Sequence, residues 1–289
     1  MKKILLAAVA VAAVLAASCK CNQEGETLDF LPENITAKGT LVIEGGGDRI
    51  APILNKIIEK GGGPENCKLL VIPFASQVED TGERQAAEFR ALGCKNADFI
   101  KCPKDSIDSP ESLAKLDGVT AIFLSGGDQS RLKDYLNGTK FFDKMLQIYK
   151  DGGVIGGTSA GAAIQSRIML TGRQVNPGPD DESPYFNEIK SNYVETKEGF
   201  GFLDNIIIDQ HFIARRRQVR LINVLLDNPG YRGIGIDEEC AVVVNPDNTI
   251  EIVGTGCAMM FEPYKKGEDG SNAHSFKLTV LYPGDKYNI

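Results

Sequence analysis

Gly153-Val154-Ile155-Gly156-Gly157-Thr158-Ser159-Ala160-Gly161-Ala162-Ala163 is the stretch on which the reading of this 289-residue chain turns. Val154 to Gly157 is a short apolar and small-residue run, and Ala160 onward is rich in helix-forming alanine. Between them lies Gly157-Thr158-Ser159-Ala160-Gly161, a G-x-S-x-G turn in strand–turn–helix context. Such a turn lifts a serine oxygen above the sheet, and the following amide, here that of Ala160, points where an oxyanion forms. The competing reading is a glycine-rich turn that binds an anion at a helix N-terminus without chemistry.

Working outward, apolar runs alternate with helix-period segments. Strands are expected at 40–44, 68–73, 97–101 and 119–125, and helices at 50–60, 80–92, 130–136 and 139–150. Buried strands alternating with amphipathic helices predict βαβ units, hence an α/β fold with a doubly wound, mostly parallel sheet. Ligands on such sheets bind beyond the carboxyl ends of the strands. Gly45-Gly46-Gly47-Asp48 and Gly126-Gly127-Asp128-Gln129 both follow predicted strands at that edge. Residues 171–198 are polar and read as an excursion over the site. A strand is expected at 206–209 and a helix from about Phe212 to Leu226. Short strands at 232–236, 240–244, 249–253, 257–261 and 275–281 read as a C-terminal antiparallel extension of the same domain.

A serine needs a base to be nucleophilic at neutral pH. The chain holds two histidines. His274 sits in a polar loop, whereas His211 follows Ile206-Ile207-Ile208-Asp209-Gln210 at a strand end, so His211 is the expected base. The carboxylate that orients it is left open among Asp180, Asp181, Glu182, Glu188, Glu195 and Asp209. Arg215, Arg216, Arg217 and Arg220 follow the histidine closely enough for some to bind carboxylates at the site.

The ends and the composition bound the rest. Lys2-Lys3, the apolar run Ile4 to Ala17 and Ala16-Ala17-Ser18-Cys19 predict a signal peptide over 1–18 with a lipobox-like Cys19 as lipidation site. Residues 19–38 read as a polar tether and 39–289 as one hydrolase domain. Seven cysteines in an exported chain permit disulfides, but their spacings select no pairing. The net charge of −7 gives no support for nucleic-acid binding, and no metal or cofactor is expected.

Taken together, Phe123-Leu124-Ser125-Gly126-Gly127-Asp128-Gln129, Gly157 to Ala162, Asp209-Gln210-His211-Phe212 with its arginines, and Gly233-Ile234-Gly235-Ile236-Asp237-Glu238 resemble the serine peptidase family that contains cyanophycinase and the alpha-aspartyl dipeptidase. The Asp-Gln-His-Phe stretch resembles the cyanophycinase branch. The resemblance implies a class I glutamine amidotransferase-like fold. It also implies cleavage of cyanophycin, a poly-aspartate bearing arginine on its side-chain carboxylates, to β-aspartyl-arginine. It implies Ser159 as nucleophile, His211 as base and Glu182 as their carboxylate, since Glu182-Ser183-Pro184 matches a Glu-x-Pro. Gly127 and Ala160 become the oxyanion donors, and Gln129, Asp209, Gln210, Arg215, Arg217 and Arg220 the substrate contacts. The stretch 173–193 is longer than the family's pattern. The expected partners are a peptide rich in Asp and Arg and a membrane through the lipid anchor alone, with a homodimer left open. Alternatives are an alpha-aspartyl dipeptidase activity, a non-catalytic peptide-binding lipoprotein on the same scaffold, and a lipase-like esterase. The esterase lacks its expected His-Gly-Gly run here.

Overall fold

The computed structural model describes residues 37–176, 186–263 and 275–289. The leader with Cys19, Asp180 to Glu182 and His274 lie outside the described residues. The first half is built from β1 (Thr40–Glu44), α1 (Ala51–Lys60), β2 (Lys68–Ile72), α2 (Thr81–Ala91), β3 (Asn96–Phe99), α3 (Pro110–Ala114) and β4 (Ala121–Leu124). It continues with α4 (Gln129–Leu136), α5 (Lys140–Lys150), β5 (Val154–Thr158) and α6 (Ala160–Ala163). The second half comprises β6 (Ile168–Gln174), β7 (Val194–Glu198), β8 (Ile206–Gln210), α7 (Gln218–Asp227), β9 (Arg232–Ile236) and β10 (Cys240–Val244). It ends with β11 (Thr249–Gly254), β12 (Ala258–Pro263), β13 (Phe276–Leu281) and β14 (Lys286–Asn288).

The main sheet runs β14-β11-β10-β1-β5-β4-β2-β3. Neighbours from β1 to β3 are parallel, while β10 pairs antiparallel with β1, β11 with β10 and β14 with β11. The expected α/β class with a mostly parallel sheet is therefore present. Its strands are apolar on both sides because helices cover both faces. Val42, Leu69, Val71 and Phe123 pack with Ile53, Ile57, Ala86 and Phe89 of α1 and α2. Leu41, Ile43, Ile122 and Ile155 pack on the other face with Leu132, Phe141 and Met145 of α4 and α5.

Three features differ from the sequence reading. The tail strands exist where expected but divide between two sheets. β9 and β12 leave the main sheet to join β8 and β13 in a second one, ordered β13-β12-β9-β8, in which β8 and β9 are parallel. The polar excursion contains a two-stranded ribbon, β6 with β7, bulged between Leu170 and Gln174. One wet face hid its strand pattern. The helix expected from Phe212 starts only at Gln218. Asp237 Oδ1 accepts the amides of Ile213 (3.0 Å) and Ala214 (2.9 Å), and Arg216 has φ of 53°, so the chain turns before it can coil.

The five described cysteines, Cys67, Cys94, Cys102, Cys240 and Cys257, are unpaired thiols. No helix among the described residues is long and apolar enough to cross a membrane.

Candidate active site

Ser159 sits where β5 passes into α6, with φ of 52° and ψ of −106°. A non-glycine residue in that region is strained and persists only where its surroundings fix it. Here the Ser159 amide donates to the Glu44 carbonyl at the end of β1 (3.1 Å). Gly161 lies so close to the Leu124 carbonyl that any Cβ would collide with it. The elbow is thus held from β1 and β4 on either side.

His211 is the residue after β8 in the second sheet, and its backbone reaches across to the first. Its amide donates to the Gly45 carbonyl (2.8 Å), just past β1. Gly46 follows with φ of 112°, and a Cβ there would run into the His211 ring. The glycine-rich segment after β1 is therefore the floor on which the imidazole rests. His211 Nε2 lies 2.9 Å from Ser159 Oγ, and Nδ1 lies 2.5 Å from Glu238 Oε1. A carboxylate only accepts, so Nδ1 carries the proton and Nε2 is left to accept from the serine hydroxyl. Burial pushes the His211 pKa below its ordinary value. Arg215 and Arg217 push the same way, and the bond to Glu238 opposes them. The ring is accordingly neutral at neutral pH, the form a general base needs.

Glu238, on the loop between β9 and β10, is the carboxylate on His211 Nδ1; Glu182, expected in that role, lies outside the described residues. The next residue, Glu239, has φ of 53° and donates its amide to the Gly46 carbonyl (2.8 Å), which fixes the loop against the same floor. The sequence did contain a signal. Gly233-Ile234-Gly235-Ile236 is a buried strand, and Asp237-Glu238 lies at its carboxyl end, on the edge where sites form.

A cavity of about 250 Å³ opens beside this chain, bounded on the near side by Ser159, His211, Thr158, Gly46 and Gly126. Ala160 is buried as the first residue of α6. Gly127 lies behind Gly126, against Ala75 and Ser76.

The residues expected to contact substrate are placed differently. Asp209 is 0% exposed and Arg220 3%. They pair with each other, Arg220 Nε donating to Asp209 Oδ2 (2.9 Å) and Nη2 to Oδ1. Neither borders the cavity. Arg217 donates to the Gln210 carbonyl (2.7 Å) and to its side-chain oxygen. Gln129 donates to the Leu170 carbonyl (2.6 Å). Arg215 alone among these is mostly exposed, 3.9 Å from Glu238. The structure thus uses most of this polar set to tie the β8–α7 corner together. Burial and the neighbouring Arg220 bring Arg217 down to about 10, still cationic at neutral pH.

Under the elbow, the Glu44 carboxyl is fully buried, with neither oxygen hydrogen-bonded among the described residues. Burial pushes it up to about 8, against smaller opposing effects of Thr158 and Arg49. No three His, Cys, Asp or Glu side chains among the described residues converge as metal ligands.

A strained serine, an imidazole and a carboxylate thus lie in one hydrogen-bonded line, the arrangement found in serine hydrolases. The model of peptidase family S51 matches residues 40–252. The chain belongs to peptidase family S51. This S51 peptidase is 34% identical over 264 residues to the cyanophycinase of Geminocystis herdmanii (strain PCC 6308), covering 86% of this chain and 92% of that protein. It is 29% identical to the cyanophycinase of Synechococcus elongatus, covering 87% of this chain and 80% of that protein. The fold is shared with a peptidase from an acI-B1 Actinobacterium, with a TM-score of 0.61 at 23% identity over 88% of this chain and 98% of that one. The resemblance read from the motifs is borne out, and the chain is a serine peptidase.

Proposed function

We propose that this S51 peptidase hydrolyses cyanophycin or a related aspartyl peptide, releasing dipeptides such as β-aspartyl-arginine. The observation that carries the reading is the continuous Ser159–His211–Glu238 hydrogen-bond line in a chain so similar to cyanophycinases. Ser159 Oγ attacks the scissile carbonyl while its proton passes to His211 Nε2. Glu238 holds the ring and stabilises the imidazolium that forms. The Ala160 and Gly127 amides receive the oxyanion. Collapse of the tetrahedral intermediate breaks the C–N bond, and the His211 proton goes to the leaving amine. Water, deprotonated by the same imidazole, then attacks the acyl ester and frees Ser159. Arg215 and Arg217 keep the site cationic toward an aspartate-rich substrate.

Incubating the purified protein with cyanophycin and identifying the products by mass spectrometry tests this. Dipeptides released by wild type and not by Ser159→Ala support it. An intact polymer after prolonged incubation with folded enzyme removes the substrate assignment.

We further propose that Cys19 carries a lipid anchor after removal of residues 1–18. Its position directly behind Ala16-Ala17-Ser18 and the polar segment that follows support this. A labelled fatty acid should mark wild type, and Cys19→Ala should leave the membrane fraction. An unlabelled, freely soluble wild type would contradict it.

A further inference from the structure

The cavity has a far wall that the chemistry above does not use: Ser76 after β2, then Thr81, Arg84 and Gln85 of α2, with Arg49 at the mouth of α1. Gln85 is 2% exposed, and its Oε1 has no hydrogen-bond partner among the described residues. An amide oxygen withdrawn from water and left unpaired is costly, and a residue that lines a cavity and holds such an oxygen can take a donor from a ligand there. The two arginines on this wall differ. Arg49 is held in a fork on Glu88, at 2.7 and 2.6 Å. Arg84 is exposed and has no ion pair among the described residues, so its guanidinium remains available to an anion. Between them the Ser76 and Thr81 hydroxyls share one hydrogen bond of 2.7 Å.

A free guanidinium beside an unfilled amide oxygen is complementary to a carboxylate that lies next to an N–H. An amino-acid residue with a free α-carboxylate and an acylated α-nitrogen has both groups on one carbon. The cavity runs from this wall to Ser159 and His211, so such a residue would adjoin the scissile bond.

We propose that Arg84 and Gln85 form a specificity subsite for a carboxylate-bearing amino-acid residue of the substrate, the carboxylate on the Arg84 guanidinium and the amide N–H on Gln85 Oε1. The assignment rests on the peptidase reading above and specifies which part of the substrate the far wall selects. A planar fork suits a carboxylate, and lysine reproduces only its charge.

The test uses two synthetic β-aspartyl peptides that differ only in whether the residue beside the scissile bond ends in a free α-carboxylate or a carboxamide. Wild type should prefer the free acid by about tenfold or more in kcat/KM, the scale of one lost charged hydrogen bond. Arg84→Gln should raise KM for the acid more than it lowers kcat and bring the acid-to-amide ratio toward one. Arg84→Lys should restore part of that ratio. Gln85→Met should weaken both peptides, since both carry the N–H. Hydrolysis of both peptides with an acid-to-amide ratio untouched by Arg84→Gln overturns the subsite and leaves the peptidase reading intact. Hydrolysis of neither by wild type overturns the proposed aspartyl-peptide substrate. In that case calorimetry of the acid peptide with Ser159→Ala, with and without Arg84→Gln, still decides the subsite. Equal binding by the two proteins refutes it.

Discussion

Replacing Glu44 by glutamine should make this protein more resistant to mild alkali. The Glu44 carboxyl is fully buried at the end of β1, with neither oxygen hydrogen-bonded among the described residues, and burial raises it from 4.5 to about 8. The Thr158 side chain and then Arg49 lower it and Glu88 raises it by smaller amounts, and Cys240 lies within electrostatic reach. A raised carboxyl means the folded state keeps a proton that the unfolded chain releases. Stability attributable to the group is then intact below pH 4.5, falls as pH rises from there, and is fully lost above about pH 8. At about 1.4 kcal/mol per pH unit, the loss is roughly 3 kcal/mol by pH 7. Glutamine has the same shape and never ionises. Its amide is as poorly satisfied as the neutral acid, so the two should be near equal at pH 5. At pH 8 the variant should melt higher by about 10 °C, since about 1 kcal/mol moves Tm by roughly 2–4 °C in a domain of this size. Thermal unfolding of wild type and Glu44→Gln between pH 5 and 8.5 is the assay, and the difference between the two curves is the quantity read. Parallel curves, or a variant that loses ground as pH rises, would refute the reasoning.

Three further outcomes follow from the site. Glu238→Gln should lower kcat by about ten-thousandfold with the fold intact, as loss of the tautomer-fixing carboxylate does in other triads; near-normal turnover, with Glu182→Gln crippled instead, would return the role to Glu182. The pH–rate profile should rise with pH through an apparent pKa below 6.5, because burial lowers His211 and only the neutral ring accepts the serine proton; a limb centred above 6.5 in kcat/KM would contradict this. Arg220→Met should destabilise the protein by about 3–5 kcal/mol in denaturant unfolding by leaving Asp209 buried without its partner; a stability within 1 kcal/mol of wild type, by the same principle, would show that the pair is not structural.

The sequence alone determined the parts whose cause is local. Short, strictly apolar runs such as Ala121–Leu124 and Leu69 to Ile72 fit strands buried on both faces, and their alternation with α1, α2 and α5 favours a parallel sheet. The elbow at Ser159 was legible because glycines at 157 and 161 and the strand-to-helix change lie within a few residues of it. His211 was legible because only two histidines exist and this one follows an apolar strand-like run. Tertiary structure decided what depends on distant pieces of chain meeting. Glu238 reaches His211 because β9 runs parallel to β8 in a second sheet, so that both carboxyl ends meet the Gly45-Gly46 floor; no periodicity within either strand encodes that docking. The fate of the charges was decided the same way. Asp209, Gln210, Arg217 and Arg220 are close enough in sequence to suggest one polar site. Which of them face a ligand and which satisfy one another depends on burial, because a charge withdrawn from water takes the nearest partner the fold supplies.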